Sequence, residues 1–237
     1  MSTAALVEFT GVVKQYQALR PLRLAQLSIA PGAIVSVQGL DALAAEVLVN
    51  LMTAAMRPDE GEVRLFGQPT GDIADYDAWL AMLDGLGLLS ERAVLLEQCS
   101  VAQNLALPLT LTIDPIDPAV VPRVHALADE VGIPRAALET QVRAAGPDVV
   151  QRVRLGRAIA LDPRLIVAEH PSASLPRPGV EAFARDLARV VTARQAALLA
   201  VSADREFIRA LGGQALTLDP KNGMLSKPGL LARLGLG

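Results

Sequence analysis

Residues 151–171 read QRVRLGRAIALDPRLIVAEHP and give the clearest indication of the fold. The first part predicts a helix from about Val149 to Ala160, and the second part predicts a short, wholly apolar strand from Leu165 to Ala168. A strand without polar residues is typical of a parallel sheet that is covered on both faces. This stretch therefore indicates an α/β fold.

The same alternation of apolar strands and helices continues in both directions along the chain. Further strands are predicted at Leu6 to Phe9, Leu22 to Ile29, Ala33 to Gln38, Glu62 to Phe66, Ala197 to Ser202 and Gln214 to Leu218. Further helices are predicted at Ala44 to Met56, Val180 to Ala193 and Arg205 to Leu211, and the region from Asp75 to Val142 is expected to be mostly helical. The pattern predicts a parallel sheet core with an antiparallel β portion at the N-terminal side and a helical subdomain.

We expect these elements to form a single domain over residues 1–237. The α/β core is assigned to 1–87 and 161–237, and the helical subdomain to 88–160. The short apolar stretch from Pro228 to Leu236 fits a docking helix or a disordered tail equally well.

Lysine is nearly absent from this chain of 237 residues. The three lysines are Lys14, Lys221 and Lys227, and the other 19 of the 22 basic residues are arginines. Chemistry that needs a lysine in the middle of the chain is therefore excluded, whether a Schiff base or a phosphate clamp. One cysteine (Cys99) and two histidines (His125 and His170) are too few and too widely separated for a Cys/His zinc site.

Charge and hydropathy narrow the class of protein further. The net charge of −3 argues against a nucleic-acid-binding protein, which usually presents a basic face. No stretch of 18 or more purely apolar residues occurs, and the N-terminus lacks the pattern of a signal peptide. We expect a cytoplasmic protein that associates with a membrane through a partner.

Several segments resemble, in their order and spacing, the ATPase domain of ATP-binding cassette (ABC) transporters over almost the whole chain. They are Val12 to Tyr16, Arg57 to Val63, Ser100 to Leu109, Gln151 to Pro163 and Leu165 to Pro171. The resemblance implies a P-loop NTPase-like fold. It also implies that Tyr16 holds the place of the aromatic residue that stacks on adenine.

The phosphate-binding loop of that family is degenerate here. The family's loop has glycines that cradle the phosphates, a lysine that reaches the β- and γ-phosphates, and a Ser/Thr that holds magnesium. The corresponding stretch, residues 39–46, reads GLDALAAE. The family's nucleotide-binding places, so far as the resemblance carries them over, fall on Tyr16, Gly39, Asp41, Ala44, Ala45, Glu46 and Glu91. Among the loop residues, only Gly39 keeps the family's residue type; Ala45 replaces the lysine and Glu46 replaces the Ser/Thr.

Glu46 has two explanations. An acidic residue in the first turn of a helix favours the helix dipole, and this structural role is the preferred one. Alternatively, Glu46 and Glu169 bind Mg²⁺ directly, since hard cations prefer carboxylates. Otherwise no metal site is expected. At about 4 Å and an effective dielectric of about 20, Glu46 would repel a phosphate charge by roughly 4 kcal/mol.

The other motifs are altered in the same way. The resemblance places Glu169 at the magnesium-site aspartate, His170 at the general-base glutamate and Ala203 at the switch histidine. Glu91 falls at the glutamine that senses magnesium and the permease, with a register certain to one residue. The signature motif, which grips the phosphate bound by the opposite subunit, is replaced by Ala145, Gly146, Pro147, Asp148 and Val149. Pro147 and Asp148 instead suit the start of a helix.

The resemblance and the lost motifs together predict a pseudo-ATPase. Such a subunit would be a structural or regulatory partner of a membrane permease at the inner face of the membrane. It would act as a homodimer or as a heterodimer with another ABC ATPase subunit. No cofactor and no nucleic acid are expected, and weak ATP and Mg²⁺ binding is left open. The alternatives are a divergent but active ATPase, for instance in lipid or envelope transport, and a free-standing interaction protein.

Overall fold

The computed structural model describes residues 4–73 and 75–227, so the stretch from Pro228 to Leu236 lies outside the described residues. The strands are β1 (Val7–Lys14), β2 (Leu22–Ile29), β3 (Ile34–Gln38), β4 (Glu60–Leu65), β5 (Gln68–Pro69), β6 (Leu86–Leu89), β7 (Leu165–Glu169), β8 (Ala197–Val201), β9 (Gln214–Leu218) and β10 (Leu225–Ser226). The α-helices are α1 (Ala42–Met52), α2 (Tyr76–Leu83), α3 (Val101–Ala106), α4 (Val121–Val131), α5 (Pro147–Ile159), α6 (Arg177–Ala193) and α7 (Arg205–Leu211).

Two sheets make up the β structure. The larger sheet has the order β10-β9-β3-β8-β7-β6, and all its pairs are parallel except β10 with β9. The smaller sheet is antiparallel, has the order β2-β1-β4-β5, and comes from the N-terminal part of the chain. The predicted α/β fold with a parallel core and an antiparallel β portion is confirmed.

Two inner strands of the larger sheet, β7 and β8, are buried at every position, and β8 is wholly apolar. Along β7, Leu165 and Val167 pack towards α1 and the antiparallel sheet. Ile166 and Ala168 pack on the opposite face, against α3 to α6. This period-two alternation matters for function, since it decides to which side each residue at the end of β7 points.

The helical content of residues 75–142 was overestimated, and that prediction is wrong. Only α2, α3 and α4 are α-helical there, and β6 is a strand that pairs in parallel with β7. Periodicity alone does not distinguish a four-residue apolar run from a buried helical segment, but the family resemblance places a strand near Leu88 and Leu89, and β6 confirms it. The expected start of the helical subdomain at residue 88 consequently falls inside a strand of the sheet.

Two other boundaries differ from the prediction for local reasons. Helix α1 ends at Met52 and not at Met56, since Thr53 caps it and Ala54 turns into the left-handed region with φ of 58°. Strand β1 continues past Phe9 to Lys14 because the register shifts between Thr10 and Val13, which lets the strand keep pairing with β4.

No helix within residues 4–73 and 75–227 has both the length and the apolar character needed to cross a membrane.

A close backbone contact joins the helical layer to the edge of the parallel sheet. A Cβ atom added to Gly87 in β6 would lie 2.2 Å from the carbonyl oxygen of Ala158 in α5 and 3.0 Å from Pro163 Cγ. Glycine thus allows α5 to lie directly on β6.

We expect Gly87→Ala to lower the free energy of unfolding by about 2–3 kcal/mol, because backbone must move to admit the methyl group. Gly179→Ala is the matched control, since nothing lies within 4 Å of its added Cβ in α6. That control should leave stability unchanged or raise it slightly. Urea denaturation of both variants measures the difference, and equal midpoints would contradict the contact.

Candidate functional site

The loop between β3 and α1 is short. Only Gly39, Leu40 and Asp41 separate the strand from the helix, which begins at Ala42. Gly39 has φ of 89°, and a Cβ added to it would lie 2.7 Å from the carbonyl oxygen of Leu218 in β9. The chain requires glycine here in order to pass β9. Residues 42–45, which the family resemblance places in a phosphate loop, lie in the helix.

The N-terminus of α1 is closed by the chain itself. The Asp41 carboxylate accepts a hydrogen bond of 2.8 Å from Ala44 N, and the Asp41 carbonyl accepts one of 2.9 Å from Ala45 N. Free amide groups at a helix N-terminus are the donors that bind phosphate in other proteins. Here a carboxylate of the same chain takes one of them and places a negative charge at the helix end.

The expected role of Glu46 in the first helical turn is wrong. No acidic residue lies in the first turn of α1, since Glu46 is the fifth residue of the helix, and Asp41 supplies the negative charge at its N-terminus. The prediction failed because α1 begins two residues earlier than the expected start at Ala44.

Tyr16 lies near this loop, as the resemblance implied. Its position follows from Asp59, whose carboxylate accepts hydrogen bonds from Lys14 Nζ (2.7 Å) and Gln15 N (2.6 Å). These hydrogen bonds lower the pKa of Asp59. Tyr16 is half-buried, and burial together with the charge of Asp41 raises the pKa of its hydroxyl. The Tyr16 hydroxyl is therefore close enough to the N-terminus of α1 to be affected by the charge of Asp41.

An arginine lies between α1 and the end of β7. Arg92 Nη2 and Nε donate to Glu169 Oε2 at 2.8 Å and 3.0 Å. Its Nη1 lies 3.4 Å from Glu46 Oε1 and 3.4 Å from Asn50 Oδ1. Ser90 Oγ donates to the same Glu169 oxygen at 2.9 Å and accepts from Arg92 N at 3.1 Å. The Glu169 side chain is 9% exposed, so this carboxylate is held almost out of solvent.

The family resemblance assigned Glu46 and Glu169 to magnesium-holding positions. In the structure the guanidinium of Arg92 lies between them and supplies the positive charge. Within the described part of the chain, no three His, Cys, Asp or Glu side chains are arranged to hold a metal ion. The two carboxylates proposed as a Mg²⁺ pair thus share an internal cation.

Sequence reasoning missed Arg92. Glu91, the residue it assigned to the sensing glutamine, is exposed, and the next residue points into the site instead. The available signal was an arginine just after an apolar run, within the stated uncertainty of one residue. Nothing in the sequence shows that its side chain turns towards Glu169.

His170 is separated from this cluster. By the alternation along β7, Glu169 belongs to the α1 side and His170 follows at a left-handed turn with φ of 43°. It lines a cleft of about 350 Å³ with Ser172, Arg177, Asp204 and the exposed Ala203. The buried Nε2 of His170 has no hydrogen-bond partner within the described residues. Glu169 is thus bound by Arg92 and Ser90, whereas His170 lines a cleft whose lining does not include Glu169.

Asp204 organises the cleft beside His170. Its carboxylate caps α7 and accepts a hydrogen bond from Ser172 Oγ at 3.0 Å and from Arg177 Nη1 at 3.0 Å. Burial alone would raise its pKa, but the hydrogen bonds from Phe207 N and Ser172 together with the charge of Arg177 lower it. These contacts tie α7 to the loop after β7.

The signature-equivalent residues start a helix, as predicted. Gly146 is the N-cap of α5, Pro147 is the first helical residue and Asp148 lies in the first turn. Asp148 Oδ2 accepts a hydrogen bond of 2.9 Å from Arg152 Nε one turn later. The flanking residues, Ala145 and Val149, are half-buried. At this helix N-terminus, Pro147 has no N–H to donate, and the Asp148 carboxylate is already bound to Arg152 of the same helix.

Comparison with known proteins finds relatives among ATP-binding proteins of import systems. No model of a known protein family matches the sequence. The phosphonates import ATP-binding protein of Anaeromyxobacter dehalogenans is 31% identical over 194 residues, which are 78% of this chain and 38% of that protein. The methionine import ATP-binding protein of Brucella abortus is 23% identical over 96% of this chain and 60% of its own length. The chain is homologous to ABC transporter ATP-binding subunits.

The solved structures agree on the fold. An ATP-binding cassette dimer in a post-hydrolysis state, bound to ADP and Pi, superimposes with a TM-score of 0.74 at 20% identity, over 94% of this chain and all of that one. At this identity the likeness establishes the fold alone. The chain spans 38% to 60% of the length of the two import proteins, so activity and partners do not follow from them.

The residues of the ABC site do not fit a magnesium-bound triphosphate in the family's manner. A triphosphate needs free backbone N–H groups, a lysine and a magnesium ligand. Here Asp41 takes an amide at the helix N-terminus, the buried Ala45 stands in the lysine place and Arg92 lies between the metal positions.

We expect Arg92→Ala to lower the free energy of unfolding by about 1–2 kcal/mol, because it leaves the nearly buried Glu169 carboxylate with only Ser90 as a donor. The expected loss of unfolding free energy is small because the Arg92 side chain is 36% exposed, so solvent screens its charge. Arg135→Ala is the control, as it breaks an exposed ion pair with Asp129 and should change little. Urea denaturation of Arg92→Ala, Glu169→Gln and the double variant Arg92→Ala/Glu169→Gln gives the coupling between the two residues, and Arg135→Ala is measured alongside. An equal effect of the two arginine substitutions would argue against the cluster.

Proposed function

We propose that this chain is a pseudo-ATPase: an ABC-type subunit that does not hydrolyse ATP and serves as a structural or regulatory partner of a membrane permease. The single observation that carries the proposal is the Arg92 guanidinium bound to Glu169 and lying 3.4 Å from Glu46. An internal cation bound at this point competes with any magnesium ion for the same carboxylates.

Electrostatics at the other end of the site oppose phosphate as well. Asp41 stands at the N-terminus of α1 and Glu46 lies one turn further along the helix. The lysine that would offset these charges is missing, because the chain has no lysine between Lys14 and Lys221. A triphosphate would have to displace the Asp41 cap and break the Arg92 contacts before it gained any of its own.

The half-site offered to an opposite subunit is also altered. In the family, the signature motif donates N–H groups to the phosphate bound across the dimer. Pro147 has no N–H, and Asp148 is paired with Arg152. A homodimer would lack both halves of each site. In a heterodimer with an active ABC subunit, each composite site would lack one half.

An apolar groove beside the site supports a docked partner. It has a volume of about 160 Å³ and runs between β6 and α5. Its apolar lining residues are Leu86, Leu88, Ala93, Pro108, Leu161 and Pro163. Leu161, which lines the groove, is 57% exposed, and Val94, which follows the lining residue Ala93 in the chain, is 73% exposed. We assign the groove to a cytoplasmic segment of a permease, since the relatives are import ATP-binding proteins. The chain would then work at the inner face of the membrane.

A divergent but active ATPase is the second candidate, and Arg92 is the observation that favours it. A guanidinium beside Glu169 could bind a phosphate in place of the missing lysine. In that case ATP binding would depend on Arg92, whereas in a pseudo-ATPase it would not.

Titration with Mg-ATP separates the two candidates. We expect no binding by wild-type protein at up to about 1 mM nucleotide, equivalent to less than about 4 kcal/mol of binding free energy. No phosphate release is expected, and Arg92→Ala should behave the same. The methionine import ATP-binding protein run in parallel is the positive control. Micromolar binding that is lost in Arg92→Ala would replace the pseudo-ATPase with the active alternative.

A pull-down with a candidate import permease tests the partner separately. Leu161→Asp, in the groove, and Val94→Asp, next to the lining residue Ala93, should weaken it. Arg135→Ala, remote from the groove, should not. Retention of the complex in both aspartate variants would place the partner elsewhere.

A further inference from the structure

The segment of residues 90–97, here called the linker, connects the sheet to the helical layer. It leaves the end of β6 and leads to α3, which starts at Val101. Its Leu95 side chain is buried, whereas Val94 and Leu96 are exposed by 73% and 42%. The linker is thus an irregular segment whose ends belong to two different parts of the fold.

The far half of the linker is bound to the helical layer. Arg157 Nη1 in α5 donates to Val94 O at 2.7 Å. Asn104 in α3 is fully buried, and its side chain pairs with both backbone groups of Leu96 at 2.9 Å each. A buried amide that satisfies both groups of one residue fixes the backbone there.

The near half of the linker is bound to the sheet and α1, and Arg92 makes the contacts. It reaches Glu169 at the end of β7 as well as Glu46 and Asn50 on α1. Ser90 adds one hydrogen bond to the same Glu169 oxygen. One side chain therefore ties together a strand end, a helix and the start of the linker.

We propose that Arg92 is a built-in cation that holds the linker against the sheet permanently, so that the connection between sheet and helical layer does not depend on nucleotide. The inference deepens the proposed function and rests on it for the nucleotide-independent part. A metal ion reaches such a position only when it is supplied from solution. A guanidinium four bonds from the backbone is present at a high effective concentration, whatever the solution contains.

A fixed linker has a consequence for the surface it carries. Val94 and Leu96 project from backbone that is held at Arg92, at Val94 O and at Leu96. Val94 directly follows Ala93, which lines the groove between β6 and α5, so a partner meets one arrangement of this edge in all conditions. The subunit would then act as a constant support for its partner.

Hydrogen exchange of the full chain, read by mass spectrometry, tests the clamp without any nucleotide. In Arg92→Ala and in Glu169→Gln, amides in the near half of the linker, residues 90–93, should exchange at least about 10-fold faster than in the wild type, whereas the Leu96 amide, which is bonded to Asn104, and the amides of α6 should not change. Arg135→Ala is the matched control and should match the wild type throughout. Glu169→Gln keeps the size of its side chain and carries the test if Arg92→Ala fails to fold. Unchanged linker exchange in both variants overturns the clamp.

A second arm adds 1 mM Mg-ATP to the wild type, and linker exchange should stay the same. Slower exchange of the linker with Mg-ATP would overturn both the nucleotide independence and the proposed loss of ATP binding. The clamp itself is still decided by the first arm, because that arm contains no nucleotide. Failure of the clamp and failure of the proposed function therefore give different results.

Discussion

The carboxylate of Glu169 stands at the end of a central strand, where the sheet, α1 and the linker meet. A carboxylate this buried is costly unless a cation or several donors satisfy it. Arg92 and Ser90 meet this requirement with three hydrogen bonds to a single oxygen. The conformation of the linker and the charge balance beside α1 follow from that one requirement. In this chain the Arg92 side chain supplies the cation beside Glu169.

Much of the fold could be predicted because it depends on patterns that are local in sequence. The apolar runs of β7 and β8 and the limits of β2, α7 and β9 all agree with the structure. The helical content of residues 75–142 was overestimated, whereas the strand that the family resemblance places near Leu88 and Leu89 is present as β6. The end of α1 depended on a left-handed residue at Ala54, which alanine adopts rarely and which no sequence rule anticipates.

The site was less predictable because it depends on contacts between residues far apart in sequence. The sequence alone shows that Ala45 and Glu46 occupy the places of the family's lysine and Ser/Thr in the phosphate loop. Arg92 is 77 residues from Glu169, and only the pairing of β6 with β7 brings the two together. Asp41 caps α1 only because the helix begins at Ala42, and a prediction of the helix start that is wrong by two or three residues misses this role. Boundaries of that kind are the least certain part of a prediction from one sequence.

Gly39 has a bearing on how degenerate chains are recognised. It is the single glycine kept from the phosphate loop, and the close approach of the Leu218 carbonyl accounts for it. A glycine of a motif can therefore be required for steric reasons, whether or not the motif binds nucleotide. A survey that scores motifs by matching letters would count this residue as a trace of nucleotide binding. A survey that asks which neighbouring atom would clash with a side chain would assign Gly39 a structural role.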